Sequence, residues 1–273
     1  MPNATAGWPA SRRLLLLSNS RDVDGRVLVY ARKALEDALA GVSQAVFVPF
    51  AAVAFSLDVY AERVHEIFTP LGVEVESVHH AADPAAAVRG AAAIIVGGGN
   101  TFQLLRRLAA TGLLAVIRER VHEGVPYIGW SAGSVVACPT IATTNDMPIA
   151  EPPGLGALGL VPFQINAHYT DFHPAGHQGE TRAERIAEFL VLHPRVPVVG
   201  LREGSALRVT GSTVELTGRT EGGAGARVFA SGREPVDFPP GSDLSFLLAA
   251  TDAAVQAAPS VAANAWPTFG DTA

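Results

Sequence analysis

The sequence predicts an α/β protein, a mostly parallel, doubly wound sheet with helices on both faces that ends in antiparallel strands. Three observations carry this. Short, wholly apolar runs recur along the first half of the chain, as strands buried on both faces require. Stretches with apolar residues three and four apart separate them, and alternation of this kind gives parallel strands with crossover helices. Turns of small residues close several of the runs, where the ligand site of an open α/β sheet gathers. The strand-like runs are residues 13–20 (RLLLLSNS), 44–50 (QAVFVPF), 73–78 (VEVESV), 92–99 (AAIIVGGG) and 125–130 (VPYIGW). Helical stretches fall at 26–41, 57–72 and 100–124, each closed by glycine. After Pro148 the pattern loosens, then gives a strand near 163–166, a helix at 180–193 and a strand at 196–203. Hairpin-like segments at 206–216 and 226–232 supply the antiparallel end, with Gly211-Ser212 as a turn. The expected organisation is one main α/β domain, 1–235, and an Ala/Pro-rich appendage, 236–273, of one helix and a loose tail.

Composition narrows the function. A chain of 273 residues that is 48% hydrophobic can bury a full core. Its formal charge of −6 offers no field for nucleic acid or an anionic membrane, and no apolar run approaches the ~18 residues of a membrane span. The single cysteine, Cys138, leaves no intrachain disulfide. With no secretory leader visible, a cytoplasmic protein is expected.

The chemistry-bearing residues fall at strand ends. Asn19 and Ser20 end the first strand, Gly97–Asn100 the fourth, Ser131 the fifth, and Glu203 the strand after the long helix. Gly129-Trp130-Ser131-Ala132-Gly133 fits the G-x-S-x-G elbow, which lifts a serine hydroxyl off a sharp strand-to-helix turn. The alternative is a serine that merely caps the following helix. In VGGGNTF (96–102) three glycines let backbone N–H groups approach a ligand oxygen, and the turn equally suits Asn100 as a helix cap. Among eight histidines, His168 directly follows an apolar strand and opens a polar loop, with His173 and His177 as alternatives there. His65, His79, His80, His122 and His193 read as surface or cap residues. Asp146, Asp171 and Glu203 are all candidates to orient the base, and chain order does not choose between them. No metal ligand set is visible, and no metal or cofactor is expected.

LLLLSNS, VFVPFA, IIVGGGNTFQLL, YIGWSAG, ACPTIATTNDMPI, QINAHYTDFHPAGHQGETRAERI and GLREG, in this order and spacing, resemble the S51 family of serine peptidases over about residues 13–232. The resemblance implies a class I glutamine amidotransferase-like fold and metal-free cleavage of dipeptides with N-terminal aspartate. It implies Ser131 as nucleophile, His168 as base, and either Asp146 or Glu203 as acid. The preferred arrangement sets Glu203 against His168 and Asp146 nearer the substrate amine. Ala132 with Gly98 or Gly99 would hold the oxyanion, and Asn100 and Arg182 would bind substrate. Arg182 is the candidate cation for the aspartate side chain because a guanidinium forks onto a carboxylate. Its alternative is pairing with Glu180 or Glu184. The Pro/Gly-rich loop 149–162 could wall the pocket and exclude longer chains. The expected partners are small peptide substrates, with neither nucleic acid nor membrane, bound by a monomer or homodimer. Departures from the family pattern are Ala167 and Arg202, where proline is expected, and an extension of about 35 residues. Arg202 would set a cation beside Glu203. A hydrolase of β-aspartyl linkages and a noncatalytic binding protein on this scaffold are the rival readings. An amidotransferase would need cysteine at Ser131, and Cys138 reads as a buried hydrophobe.

Overall fold

The computed structural model describes residues 11–22, 24–174, 176, 178–219 and 222–249. Five parallel strands form one side of a seven-stranded sheet: β1 Arg13–Leu17, β2 Gln44–Val48, β3 Glu74–Ser77, β4 Ile94–Val96 and β5 Tyr127–Trp130. Their order is β3-β2-β4-β5-β1. Alternate residues of β1 enter different cores, which is the signature of a sheet covered on both sides. Leu14 and Leu16 pack in one cluster, Leu15 and Leu17 in the other, and all four are buried.

α1 Arg32–Ala38 and α2 Leu57–Phe68 cover the second face. The first face is covered by α3 Pro84–Gly90, α4 Thr101–Ala110, α5 Leu113–His122 and α6 Ala132–Val135. The helical stretch expected over 100–124 divides into α4 and α5 because Gly112 adopts φ 69°, a left-handed turn that glycine makes at least cost. The short, Ala-rich α3 lies in a segment where no helix was expected; Asp83 caps it through the Ala86 N–H and Pro84 opens it.

The strands that follow divide between two sheets, which corrects the expectation of a single one. β6 Gln164–Tyr169 and β7 Val198–Arg202 pair in parallel in a separate four-stranded sheet. The helix between them is α7 Arg182–Leu192. β10 Ala226–Phe229 and β11 Val236–Phe238 continue that sheet antiparallel. Only β8 Ser205–Thr210 and β9 Thr213–Gly218 extend the main sheet, antiparallel beyond β1 as expected. Residues 236–249, assigned from composition to an appendage, therefore contain a strand of the second sheet, and Leu244 and Leu247 are buried in the main core. Residues 250–273, where the rest of that appendage was expected, lie outside the described residues. Among the described residues no helix is long and apolar enough to cross a membrane.

Candidate active site

Ser131 stands between β5 and α6 with φ 53° and ψ −115°, a strained conformation for a residue with a side chain. The surroundings hold it there. Its N–H donates to Leu17 O at 3.0 Å, and its carbonyl accepts from the N–H groups of Ser134 and Val135. Buried Ser134 ties the turn down, its hydroxyl against Leu17 O and Gly129 O. The flanking glycines are sterically required. A Cβ on Gly133 would lie 2.2 Å from Val96 O, and one on Gly129 would lie 2.5 Å from Gly133 O. The Ser131 side chain makes no capping bond, so the reading of Ser131 as a helix cap is not what the fold adopts.

The hydroxyl instead meets His168, whose Nε2 lies 2.9 Å from Ser131 Oγ. His168 Nδ1 lies 2.6 Å from Glu203 Oε1, completing a serine–histidine–carboxylate chain. His168 also has positive φ, 54°, at a bulge where the β6–β7 register shifts between Ala167 and Tyr169. Bulges re-aim side chains, and this one turns the imidazole out of the second sheet toward the serine of the first. Glu203 follows β7, and its position is set by the next residue: Gly204 turns at φ 78° and donates its N–H to Asn19 Oδ1 at 2.8 Å.

Two residues that sequence did not single out support this geometry. Buried Ser18, past the end of β1, accepts from the His168 N–H at 2.9 Å and donates to Leu201 O at 2.7 Å, so one hydroxyl joins β1 to both β6 and β7. Tyr60 on α2 donates to Gly98 O at 3.0 Å and accepts from Trp130 Nε1 at 2.9 Å. Burial pushes its phenol up to about 12, so it stays a donor. The signal for Ser18 was only its place in LLLLSNS; Tyr60 had none, being an aromatic in a helical pattern. Replacing Ser18 by alanine orphans a buried N–H and a carbonyl, at a cost of about 1–3 kcal/mol in urea unfolding. The same change frees the His168 backbone, and kcat should fall by roughly tenfold with KM little altered.

The remaining acids serve other ends. Asp146 Oδ2 accepts from the Thr101 N–H at 2.7 Å and from the hydroxyls of Thr101 and Thr144, as a carboxylate at the N-terminus of α4 does well. It makes no bond to His168 among the described residues. Asp171 accepts from Arg202, Arg227 and the Tyr169 hydroxyl. Arg202, expected as a cation beside Glu203, points away from it: it pairs with Asp171 at 2.7 Å and Asp237 at 2.6 Å and lies over the Tyr169 ring, as side-chain alternation along a strand dictates. His173 Nε2 lies 2.8 Å from Gly179 O in its own loop, and His177 lies outside the described residues.

Ser131, Ala132, His168, Asp146, Thr101 and Arg182 border a cavity of about 200 Å³, small beside the ~300–1,000 Å³ of sites for drug-sized ligands. Arg182 opens α7 and is half-buried, and its Nη1 is buried with no hydrogen-bond partner. Burial, with help from Arg185, lowers its pKa, while Glu203 and Tyr169 oppose the shift. Both acids that could have neutralised it are engaged elsewhere: Glu184 closes a capping box with Thr181, and Glu180 pairs with Arg185 at 3.6 Å. Gly98 packs against the serine, since a Cβ there would lie 2.9 Å from Ser131 Cβ. The Gly97 and Asn100 N–H groups are used by Val48 O and Ala51 O; those of Gly98, Gly99 and Ala132 have no protein acceptor among the described residues. Asn100 is the expected cap of α4, accepting from the Gln103 N–H, and its amide donates to Met147 O, so it does not border the cavity. Loop 149–162 does not border it either. Its backbone is tied to the segment after α6, with the Leu158 N–H on Val136 O and the Gly159 N–H on Cys138 O.

A strained serine at a strand end, an imidazole on its hydroxyl and a carboxylate on that imidazole make up the constellation of a hydrolase. The chain belongs to peptidase family S51: the model of that family matches residues 14–217. It is 46% identical over 239 residues to peptidase E of Nostoc sp. (strain PCC 7120), covering 87% of this chain and 97% of the relative. It is 48% identical over 223 residues to peptidase E of Salmonella typhimurium (strain LT2), covering 82% and 96%. The fold is also that of a peptidase from an acI-B1 Actinobacterium, with TM-score 0.61 at 18% identity over 85% of this chain and 96% of that one.

Proposed function

We propose that this peptidase is a serine dipeptidase that removes N-terminal aspartate from Asp-Xaa dipeptides through an acyl-enzyme. The observation that carries the reading is the hydrogen-bonded chain Ser131–His168–Glu203 beside the unpartnered guanidinium nitrogen of Arg182. His168 takes the Ser131 proton as the oxygen attacks the peptide carbonyl, and Glu203 steadies the imidazolium. The N–H of Ala132 and that of Gly98 or Gly99 hold the oxyanion. The leaving amine takes the proton from His168; water then attacks the ester, giving its proton to the same nitrogen, and as the acyl–Oγ bond breaks His168 returns that proton to Ser131 Oγ and free aspartate departs. Arg182 receives the side-chain carboxylate, and Asp146, fixed at the α4 N-terminus, faces the substrate ammonium. We place the reaction in the cytoplasm, where a lone buried thiol such as Cys138 stays reduced.

The test is hydrolysis of Asp-Leu, Glu-Leu, β-Asp-Leu and Asp-Leu-Gly. Asp-Leu should lead, with Glu-Leu lower in kcat/KM by about 10–200-fold for one displaced methylene. Preference for β-Asp-Leu would favour the β-aspartyl hydrolase, and no turnover of any of the four would favour a binding protein. Arg182→Ala should cut kcat/KM for Asp-Leu by roughly 10–100-fold, the worth of a charged hydrogen bond, mostly through KM. An unchanged KM removes Arg182 as the specificity cation.

A further inference from the structure

A second cluster of chemistry-bearing side chains lies at the edge of the main sheet, away from Ser131. Asp58, in the first turn of α2, meets His79 and His80, which form a 3-10 turn at the end of β3. His79 Nε2 is 3.1 Å and His80 Nε2 2.6 Å from the same oxygen, Asp58 Oδ1. One ligand atom from each of the three falls within 4.8 Å of the others. Around a tetrahedral ion with bonds of about 2.0–2.1 Å, ligand atoms stand roughly 3.3 Å apart, so each imidazole needs to part from Asp58 Oδ1 by less than ~1 Å to admit one.

The surroundings agree with this chemistry. Ser77 Oγ lies 2.6 Å from His79 Nδ1 and in turn donates to Phe47 O at 3.4 Å. An imidazole that binds metal through Nε2 carries its proton on Nδ1 and needs an acceptor there. Ser77 supplies one, anchored to β2, so the lone pair of His79 Nε2 is directed at the cluster. An open groove of about 540 Å³ borders Asp58 and His80, and Glu62, His65 and Glu76 also line it. Asp58, Glu62 and His65 share one face of α2 at helical spacing, leaving room for water on the open side.

We propose that Asp58, His79 and His80 bind one divalent transition-metal ion of the zinc class, with water completing the coordination. Two imidazoles and one carboxylate select such ions over Mg²⁺ or Ca²⁺, which prefer oxygen alone. The ion joins α2 to the β3 edge and stabilises the native state by mass action. No step at Ser131 uses it.

The experiment takes tag-free protein, stripped with EDTA and dialysed, and titrates it with ZnCl₂ and separately with MgCl₂ by calorimetry. One Zn²⁺ per chain is expected, with Mg²⁺ silent and Tm rising by ~5 °C near saturation. Asp58→Asn and His80→Ala, both at exposed positions, should each weaken binding by at least about tenfold, and Ser77→Ala by a similar factor. Hydrolysis of Asp-Leu by the stripped protein should be unchanged, which separates this inference from the catalytic reading. Absence of stoichiometric Zn²⁺ binding, equal binding of Mg²⁺, or undiminished affinity in the Asp58→Asn and His80→Ala proteins overturns the assignment.

Discussion

Ser131→Ala is expected to lower kcat for Asp-Leu by at least about 10⁴-fold, the scale on which loss of a nucleophile removes covalent catalysis. The folded protein should survive the change. Among the described residues the hydroxyl bonds only to His168 and caps nothing, and alanine keeps the Cβ that already tolerates φ 53°. Thermal unfolding should therefore match that of the unaltered protein, and a mixed ester of enzyme and substrate should no longer form in a rapid quench. Retention of full activity would show that the elbow is structural and that hydrolysis proceeds elsewhere.

The second large effect separates the two carboxylates. Glu203→Gln keeps the shape of the side chain but removes the charge that steadies His168, and kcat should fall by about 10³-fold with KM little moved. That is below the ~10⁴ of a fully buried triad acid, because the Glu203 side chain is 58% exposed and water screens part of the charge. Asp146→Asn should instead act mainly on KM, since Asp146 bonds to Thr101 and Thr144 rather than to the imidazole. It should also cost up to about 1 kcal/mol of stability through the α4 terminus. The reverse pattern would exchange the two roles.

How much of this was legible in sequence differs from element to element. The five parallel strands were, because strands buried on both faces are apolar throughout and the intervening helices keep their own period. Ser131 and His168 were legible because an elbow and a histidine after a strand are local patterns. The separation of β6, β7 and β10 into a second sheet was not. A strand's own residues encode that it is buried, and its partner is chosen by packing between segments far apart in the chain. The same cause concealed Ser18, whose hydroxyl finds its two partners in β6 and β7, and Asp58, which meets His79 and His80 across two elements. Arg202 was misplaced for a different reason: adjacency in sequence to Glu203 suggested adjacency in space, and strand alternation sends consecutive side chains to opposite faces. Asn100 shows the limit of residue type as a guide, since a cap and a ligand contact draw on the same amide.

The serine rises from the end of β5 in the main sheet, whereas His168 and Glu203 hang from β6 and β7 in the other. Neither sheet carries the whole hydrogen-bonded chain by itself. The three side chains thus meet at a seam, which the Ser18 hydroxyl and the Asn19 amide help to hold. On the mechanism proposed above, a slip of about 1 Å between the layers would disconnect the relay while leaving every strand intact. Under that mechanism the rate is tuned from residues that never touch a peptide, by adjusting how firmly the two layers are stitched together.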